Sequence, residues 1–127
     1  MSEETDMSDT PVLYLKDKCP FCLKVLIYLL EAGLLDGMEV RSFVPGEPEE
    51  GELRAELAPH FETVTFPAAQ TEPGVYMKDS DAIIAYFADT SGIDPADLQV
   101  FQWYAQGPFA QIGALYRENR ELKERLG

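Results

Sequence analysis

The run Lys16-Asp17-Lys18-Cys19-Pro20-Phe21-Cys22 decides how this chain is read. An apolar stretch, Val12-Leu13-Tyr14-Leu15, precedes it, and a longer one from Leu23 to Leu30 follows. The first has the length of a buried strand and the second that of a helix, so Cys-x-x-Cys falls on a strand-to-helix turn. Pro20 suits the first helical position, where its missing N–H costs nothing and its fixed φ already matches the helix. Cys19 is then the N-cap and Cys22 lies one turn further in. Unpaired N–H groups and the positive end of the helix dipole favour a thiolate there over a thiol, which is how a reactive cysteine is made.

The charge pattern points the same way. Lys16, Lys18 and Lys24 are three of only ten basic residues in a chain of net charge −13. A local positive cluster on an acidic protein favours a thiolate and attracts an anionic partner. Half of a zinc site, or two inert buried thiols, are the other readings. Zinc usually takes four N/S ligands, whereas Cys19 and Cys22 are the only cysteines and His60 the only histidine. No metal site is therefore expected, and His60, beside Pro59, reads as a surface residue. Cys-x-x-Cys in a strand–helix setting reads as redox or thiol chemistry.

With 127 residues, 46% of them hydrophobic, the chain has material for one folded core. No apolar run reaches transmembrane length, and the N-terminus is acidic where a signal peptide is basic. Residues 1–10 carry Glu3, Glu4, Asp6 and Asp9 and read as a disordered acidic tail. Two closely spaced cysteines without a secretion signal point to a reducing cytoplasm and reversible chemistry. The acidity argues against nucleic acid and anionic membranes as partners, although a salty habitat is another reason for it.

Further along, Gly33 marks the C-cap of the first helix, with Lys24, Tyr28 and Glu31 on its wetter side. Met38 to Val44 alternates as a second strand, and Pro45-Gly46-Glu47-Pro48 is a turn. Glu49 to Leu57 is a short charged helix anchored by Leu53 and Leu57 and stopped by Pro59. Thr65 to Ala69 and Val75 to Met77, around a turn at Pro73-Gly74, form a hairpin. Asp79-Ser80-Asp81 is an N-cap signature for a third helix ending by Gly92. The order is β-α-β-α-β-β-α: a mixed four-stranded sheet with its first two strands parallel and its hairpin antiparallel, covered by helices. A further helix runs from Asp94-Pro95 through Gln106, and after Gly107-Pro108 another from Phe109 to Leu126. Phe101, Tyr104, Phe109, Ile112 and Leu115 give these an apolar face that packs back on the sheet unit or makes an oligomer contact.

Together these residues resemble the thioredoxin-like superfamily, and within it the glutaredoxins and the N-terminal glutathione-binding domain of glutathione S-transferases. The resemblance covers about Val12 to Gly92. Cys19-Pro20-Phe21-Cys22 is similar to the dithiol glutaredoxin motif, and Thr65-Phe66-Pro67 to the family's Thr-Val-Pro segment, whose proline is cis. Asp79-Ser80-Asp81 with Ala82-Ile83 resembles the transferase motif that receives the γ-glutamyl end of glutathione. Lys16 matches a glutaredoxin position that pairs with a glutathione carboxylate. The resemblance thus implies Cys19 and Cys22 as catalytic thiols, and Lys16, Phe66, Pro67, Ser80 and Asp81 as contacts to glutathione, the co-substrate. Phe66 would offer its backbone to the cysteine moiety, Ser80 and the helix N-terminus the γ-glutamyl carboxylate site, and Asp81 the ammonium site.

Two departures stand out. Transferases have a large helical second domain, whereas only about 33 residues follow Asp94. Phe66 also replaces the family's valine. The division expected is 1–10 tail, 11–92 thioredoxin-like glutathione-binding domain, and 93–127 a helical extension like the start of that second domain. The reading that follows is a glutathione-dependent thiol–disulfide oxidoreductase acting on glutathionylated or disulfide-bonded proteins or small molecules, with a homodimer through the C-terminal helices possible. Alternatives are glutathione transfer to an electrophile, with the missing helical domain supplied by a partner chain, or a non-catalytic binding or regulatory module. A further one is an iron–sulfur cluster held between two subunits by Cys19 and glutathione.

Overall fold

The computed structural model describes residues 10–126. Strand β1 (Val12–Lys16) leads into α1 (Pro20–Glu31), β2 (Glu39–Phe43) and α2 (Pro48–Leu57). The hairpin β3 (Ala68–Glu72) and β4 (Val75–Lys78) follows, then α3 (Ser80–Ser91), α4 (Gln99–Gln106) and α5 (Pro108–Leu126). The sheet order is β2-β1-β3-β4. β1 pairs in parallel with β2, Leu13 opposite Val40, and antiparallel with β3, which pairs antiparallel with β4. The mixed sheet and element order expected from the sequence are both present.

Leu13, Tyr14 and Leu15 are all buried because helices cover both faces of β1. Side chains alternate across a strand, so Leu13 and Leu15 join Val25, Leu29, Ile83 and Phe87 on the α1/α3 side. Tyr14 goes to the other side with Phe43, Leu53, Leu57 and Ala68, beneath α2. The centre of the sheet is thereby fixed, and with it the loop carrying the cysteines.

Three local readings are corrected. β3 begins at Ala68, not Thr65, since Pro67 has no N–H to give to a ladder. The helix expected from Asp94 is split into a 3₁₀ turn, Pro95–Asp97, and α4. Asp94 caps that turn through the Ala96 N–H (2.9 Å), and Leu98 is extended. The new helix start finds its acceptor on α1, where the Glu31 carboxylate takes the N–H groups of Val100 (3.0 Å) and Phe101 (2.7 Å). The break before α5 is tight: a Cβ on Gly107 would lie 2.9 Å from the Trp103 carbonyl oxygen.

The third correction concerns the side of α1 read as wet. Lys24 and Tyr28 are 7% and 0% exposed, whereas Leu23 and Leu30 on other sides are 43% and 65% exposed. The polar stripe is covered because each group in it has a partner on another helix or loop. Tyr28 donates its hydroxyl to the Ile93 carbonyl (2.7 Å), and Lys24 pairs with Asp81 at the start of α3 (2.7 Å). The Lys24 ammonium also lies 4.2 Å from the Phe109 ring centroid. No helix among the described residues is long and apolar enough to cross a membrane. The reading of 1–10 as a tail falls, except for Thr10, outside the described residues.

Candidate functional site

Cys19 occupies the N-cap of α1 in extended conformation, with Pro20 at the first helical position. Its sulfur accepts the Cys22 N–H at 3.3 Å, so a thiol group stands where a serine or aspartate oxygen usually caps a helix. The loop leading to it turns at Lys18, a non-glycine residue with φ of 60°. Such left-handed backbone costs a residue with a side chain roughly 1–2 kcal/mol, and it brings the chain from the end of β1 into the helix. The Cys22 sulfur sits deeper, accepting the Lys16 N–H at 3.3 Å. Burial pushes the Cys22 thiol up to about 12, and its hydrogen bond with Cys19 and that residue's negative charge add to the rise. Both cysteines are free. The two sulfurs are therefore unequal: Cys22 is a neutral thiol at neutral pH.

A cavity of about 440 Å³ opens on this motif. Its polar wall is Lys16, Asp17, Lys18 and the two cysteines; its apolar wall includes Leu15, Leu23, Leu26, Val40 and Ile112. Tyr104 of α4 stands at the junction, its hydroxyl donating to the Pro20 carbonyl at 2.8 Å. Burial, and then the negative charge of Cys19, raise the Tyr104 hydroxyl above its ordinary pKa. Phe109 completes the clamp edge-on against Phe21, with ring centroids 5.2 Å apart. The C-terminal helices thus touch three residues of the motif region: Pro20, Phe21 and Lys24.

The other residues singled out in the sequence gather in a second cavity, of about 390 Å³, lined by Thr65, Phe66, Pro67, Ser80 and Asp81 together with Phe21 and Asp79. The Phe66–Pro67 peptide is cis. The Phe66 ring packs edge-on to Phe43 (centroids 4.7 Å apart) with the Arg54 guanidinium 5.2 Å from its own centroid. Ser80, 6% exposed, begins α3. Asp79 is its N-cap, but at φ of 77° its side chain makes no capping bond, contrary to a simple capping role. Asp81 spends one oxygen on Lys24 while its side chain remains 90% exposed.

The candidate residues therefore form two groups, each lining its own cavity. Cys19, Cys22 and Lys16 line the first cavity; Phe66, Pro67, Ser80 and Asp81 line the second, which Phe21 of the Cys-x-x-Cys turn also lines. Tyr104 and the Lys24–Asp81–Phe109 contact were not recognisable as site features, since only folding brings residues so distant in sequence to the motif. His60 stacks on Tyr76, centroids 3.7 Å apart, away from both cavities. Among the described residues no group of three or more His, Cys, Asp or Glu side chains is placed to hold a metal ion.

The family model of the glutathione S-transferase N-terminal domain matches residues 18–90, more than half of the chain. The chain belongs to this family. The glutathione S-transferase N-terminal domain has a thioredoxin-like fold, which is the β-α-β-α-β-β-α unit described above. No curated protein matches the chain. Solved structures similar to it include a glutathione S-transferase from the Antarctic clam Laternula elliptica, at 23% identity and a TM-score of 0.46. Another is glutathione transferase Omega 2C from Trametes versicolor, at 21% identity and a TM-score of 0.49. Omega 1C of the same species has 24% identity and a TM-score of 0.45. These alignments cover 66%, 74% and 65% of this chain but 36%, 40% and 37% of the respective structures. This glutathione S-transferase N-terminal domain protein thus spans well under half the length of those relatives.

Proposed function

We propose that the protein is a glutathione-dependent thiol–disulfide oxidoreductase in which Cys19 is the nucleophile and glutathione the resolving thiol. The observation that carries this reading is the inequality of the two cysteines. Cys19 caps a helix, its sulfur at the start of α1 on the Cys22 N–H, whereas Cys22 is held as a thiol by burial. In the forward step the Cys19 thiolate attacks the glutathionyl sulfur of a mixed disulfide. A Cys19–glutathione disulfide forms, and the substrate leaves as a thiolate that takes a proton from water. A glutathione thiolate then attacks the glutathionyl sulfur of that adduct, releasing oxidised glutathione and restoring the Cys19 thiolate. Each step breaks one S–S bond and makes one.

In this reading residues 11–92 form the glutathione-binding unit and 93–127 a helical extension that braces it. Ser80, the first N–H groups of α3 and Asp81 hold the γ-glutamyl end, the Phe66 backbone and Pro67 face the cysteine moiety, and Lys16 meets a carboxylate. The apolar cavity beside Cys19 takes the non-glutathione half of a small-molecule or protein disulfide. The reducing cytoplasm is the compartment in which such chemistry runs.

Conjugation of glutathione to an electrophile is the second reading, supported by membership of the transferase family and by the apolar wall next to Cys19. The two separate on substrates. Reduced protein is given glutathione with either a glutathionylated peptide or a nitroaryl halide. The oxidoreductase reading expects turnover of the peptide, lost in Cys19→Ser and largely kept in Cys22→Ser. Turnover of the halide alone would replace it with conjugation, and equal loss in both variants would overturn the roles given to the cysteines.

A further inference from the structure

Three contacts lock α4 along α1. Glu31 takes the N–H groups of Val100 and Phe101, and Phe101 packs edge-on against Tyr28 with ring centroids 5.9 Å apart. Tyr104 then donates its hydroxyl to the Pro20 carbonyl at 2.8 Å. Phe101 and Tyr104 are three residues apart and share a face of α4, so the buried Phe101 ring fixes where the phenol goes. It goes to the cavity beside Cys19, whose apolar wall includes Leu23, Leu26 and Val40. Pro20 directly follows Cys19, so the Tyr104 oxygen is held one residue along the chain from the proposed nucleophile. Tyr104 lies beyond residues 18–90, the part of the chain that the family model matches.

We infer that Tyr104 is a catalytic hydrogen-bond donor to the thiolate that leaves when Cys19 is glutathionylated, its hydroxyl turning from the Pro20 carbonyl to the departing sulfur. The role rests on the oxidoreductase reading above and names the residue that serves its leaving group. In that step the Cys19 thiolate attacks the glutathionyl sulfur and an S–S bond forms. The bond from glutathione to the substrate sulfur breaks, and its electron pair leaves on that sulfur. Negative charge therefore grows on an atom inside the apolar cavity that takes the substrate half, where an unsolvated thiolate is costly. A donor held there stabilises the transition state more than it stabilises the neutral disulfide.

The proton stays on the Tyr104 oxygen throughout. Burial and the charge of Cys19 hold the phenol above its ordinary value, whereas a simple thiol ionises near about 8.5, so the departing thiolate is too weak a base to take it. The thiolate takes its proton from water after it leaves. Nor is the Pro20 carbonyl orphaned when the hydroxyl turns away. It belongs to the first turn of α1 and accepts the helical N–H four residues on.

The test compares the full chain carrying Cys22→Ser with the same chain carrying Tyr104→Phe in addition, and follows glutathionylation of Cys19 by intact mass after an acid quench. Two mixed disulfides of glutathione are the donors, one with 2-mercaptoethanol and one with 4-nitrothiophenol. The first releases a basic alkyl thiolate, the second a weakly basic aryl thiolate that leaves readily without help. Loss of the hydroxyl is expected to slow the mercaptoethanol disulfide about tenfold or more, the worth of a hydrogen bond to a charged group, and the nitrothiophenol disulfide less than about twofold. Phenylalanine keeps the ring against Phe109, where the centroids are 5.8 Å apart. Alkylation of Cys19 by a haloacetamide, which releases halide and no thiolate, should be unchanged and report that the variant folds with its site intact. Equal slowing of both disulfides, or a matching slowing of alkylation, would mean that Tyr104 only braces Pro20 and would overturn the proposal, as would no slowing of either. If neither disulfide glutathionylates Cys19 in the Cys22→Ser parent, the oxidoreductase reading falls and takes the proposal with it.

Discussion

Cys19 and Cys22 are three residues apart on one turn of helix, yet the structure gives them different surroundings. The N-cap position of Cys19 follows from sequence: Pro20 starts the helix, and a strand-length apolar run ends just before it. The raised pKa of Cys22 does not, because it comes from burial, which chain folding supplies and which outweighs the Lys16 N–H that favours the thiolate. A haloacetamide at neutral pH is expected to modify the folded protein once, at Cys19, and to modify Cys22 only on unfolding; peptide mapping reads this directly. A pH consequence follows. The folded-state pKa of Cys22 lies above its unfolded value, so the folded state holds this proton longer. Its stabilising contribution is complete below about 9 and is lost as pH rises toward about 12. Cys22→Ser is expected to flatten the alkaline fall in stability measured by denaturant titration. The Tyr14 phenol, likewise raised by burial and by Glu56, keeps part of that fall in place.

At the scale of the elements, α1 is the joint of the molecule. Glu31, Tyr28 and Lys24, read from the sequence as solvent-facing, bind α4, the loop after α3, and α3 with α5. Amphipathicity cannot tell a polar stripe facing water from one facing matched partners, which is why the helix was legible and its environment was not. The Lys24–Asp81 pair is lopsided, a lysine side chain 9% exposed against an aspartate side chain 90% exposed. Asp81→Ala leaves the buried charge without its partner and is expected to cost about 1–3 kcal/mol in thermal or chemical unfolding. Lys24→Met keeps the packing on Phe109, leaves only a solvated carboxylate, and is expected to cost less than about 1 kcal/mol. Equal losses from the two would contradict the asymmetry. In the same way the strand order and hairpin were readable from alternation and turn residues. The split of the helix after Asp94 was not, since the Glu31 carboxylate that starts α4 is remote in sequence.

Over the whole molecule, a net charge of −13 on 127 residues works against the compact state through self-repulsion. Salt screens that repulsion, so the melting temperature is expected to rise as sodium chloride is raised from low to physiological strength and beyond; a fall would mean that attractive pairs dominate. The two groups of candidate residues also belong to this scale. The sequence motifs named Lys16, Cys19 and Cys22 of one cavity and Phe66, Pro67, Ser80 and Asp81 of the other, but not that Phe21 would line the second or that Tyr104 would close over Pro20. Those placements depend on how the last two helices dock, which local pattern does not encode.

In the proposed reaction Cys19 is the residue that takes up glutathione. The most direct test is the intact mass of reduced wild type, Cys19→Ser and Cys22→Ser after exposure to oxidised glutathione. One glutathionyl adduct is expected on Cys22→Ser and none on Cys19→Ser. An adduct on Cys19→Ser, or no adduct on Cys22→Ser and no internal disulfide in the wild type, would contradict it.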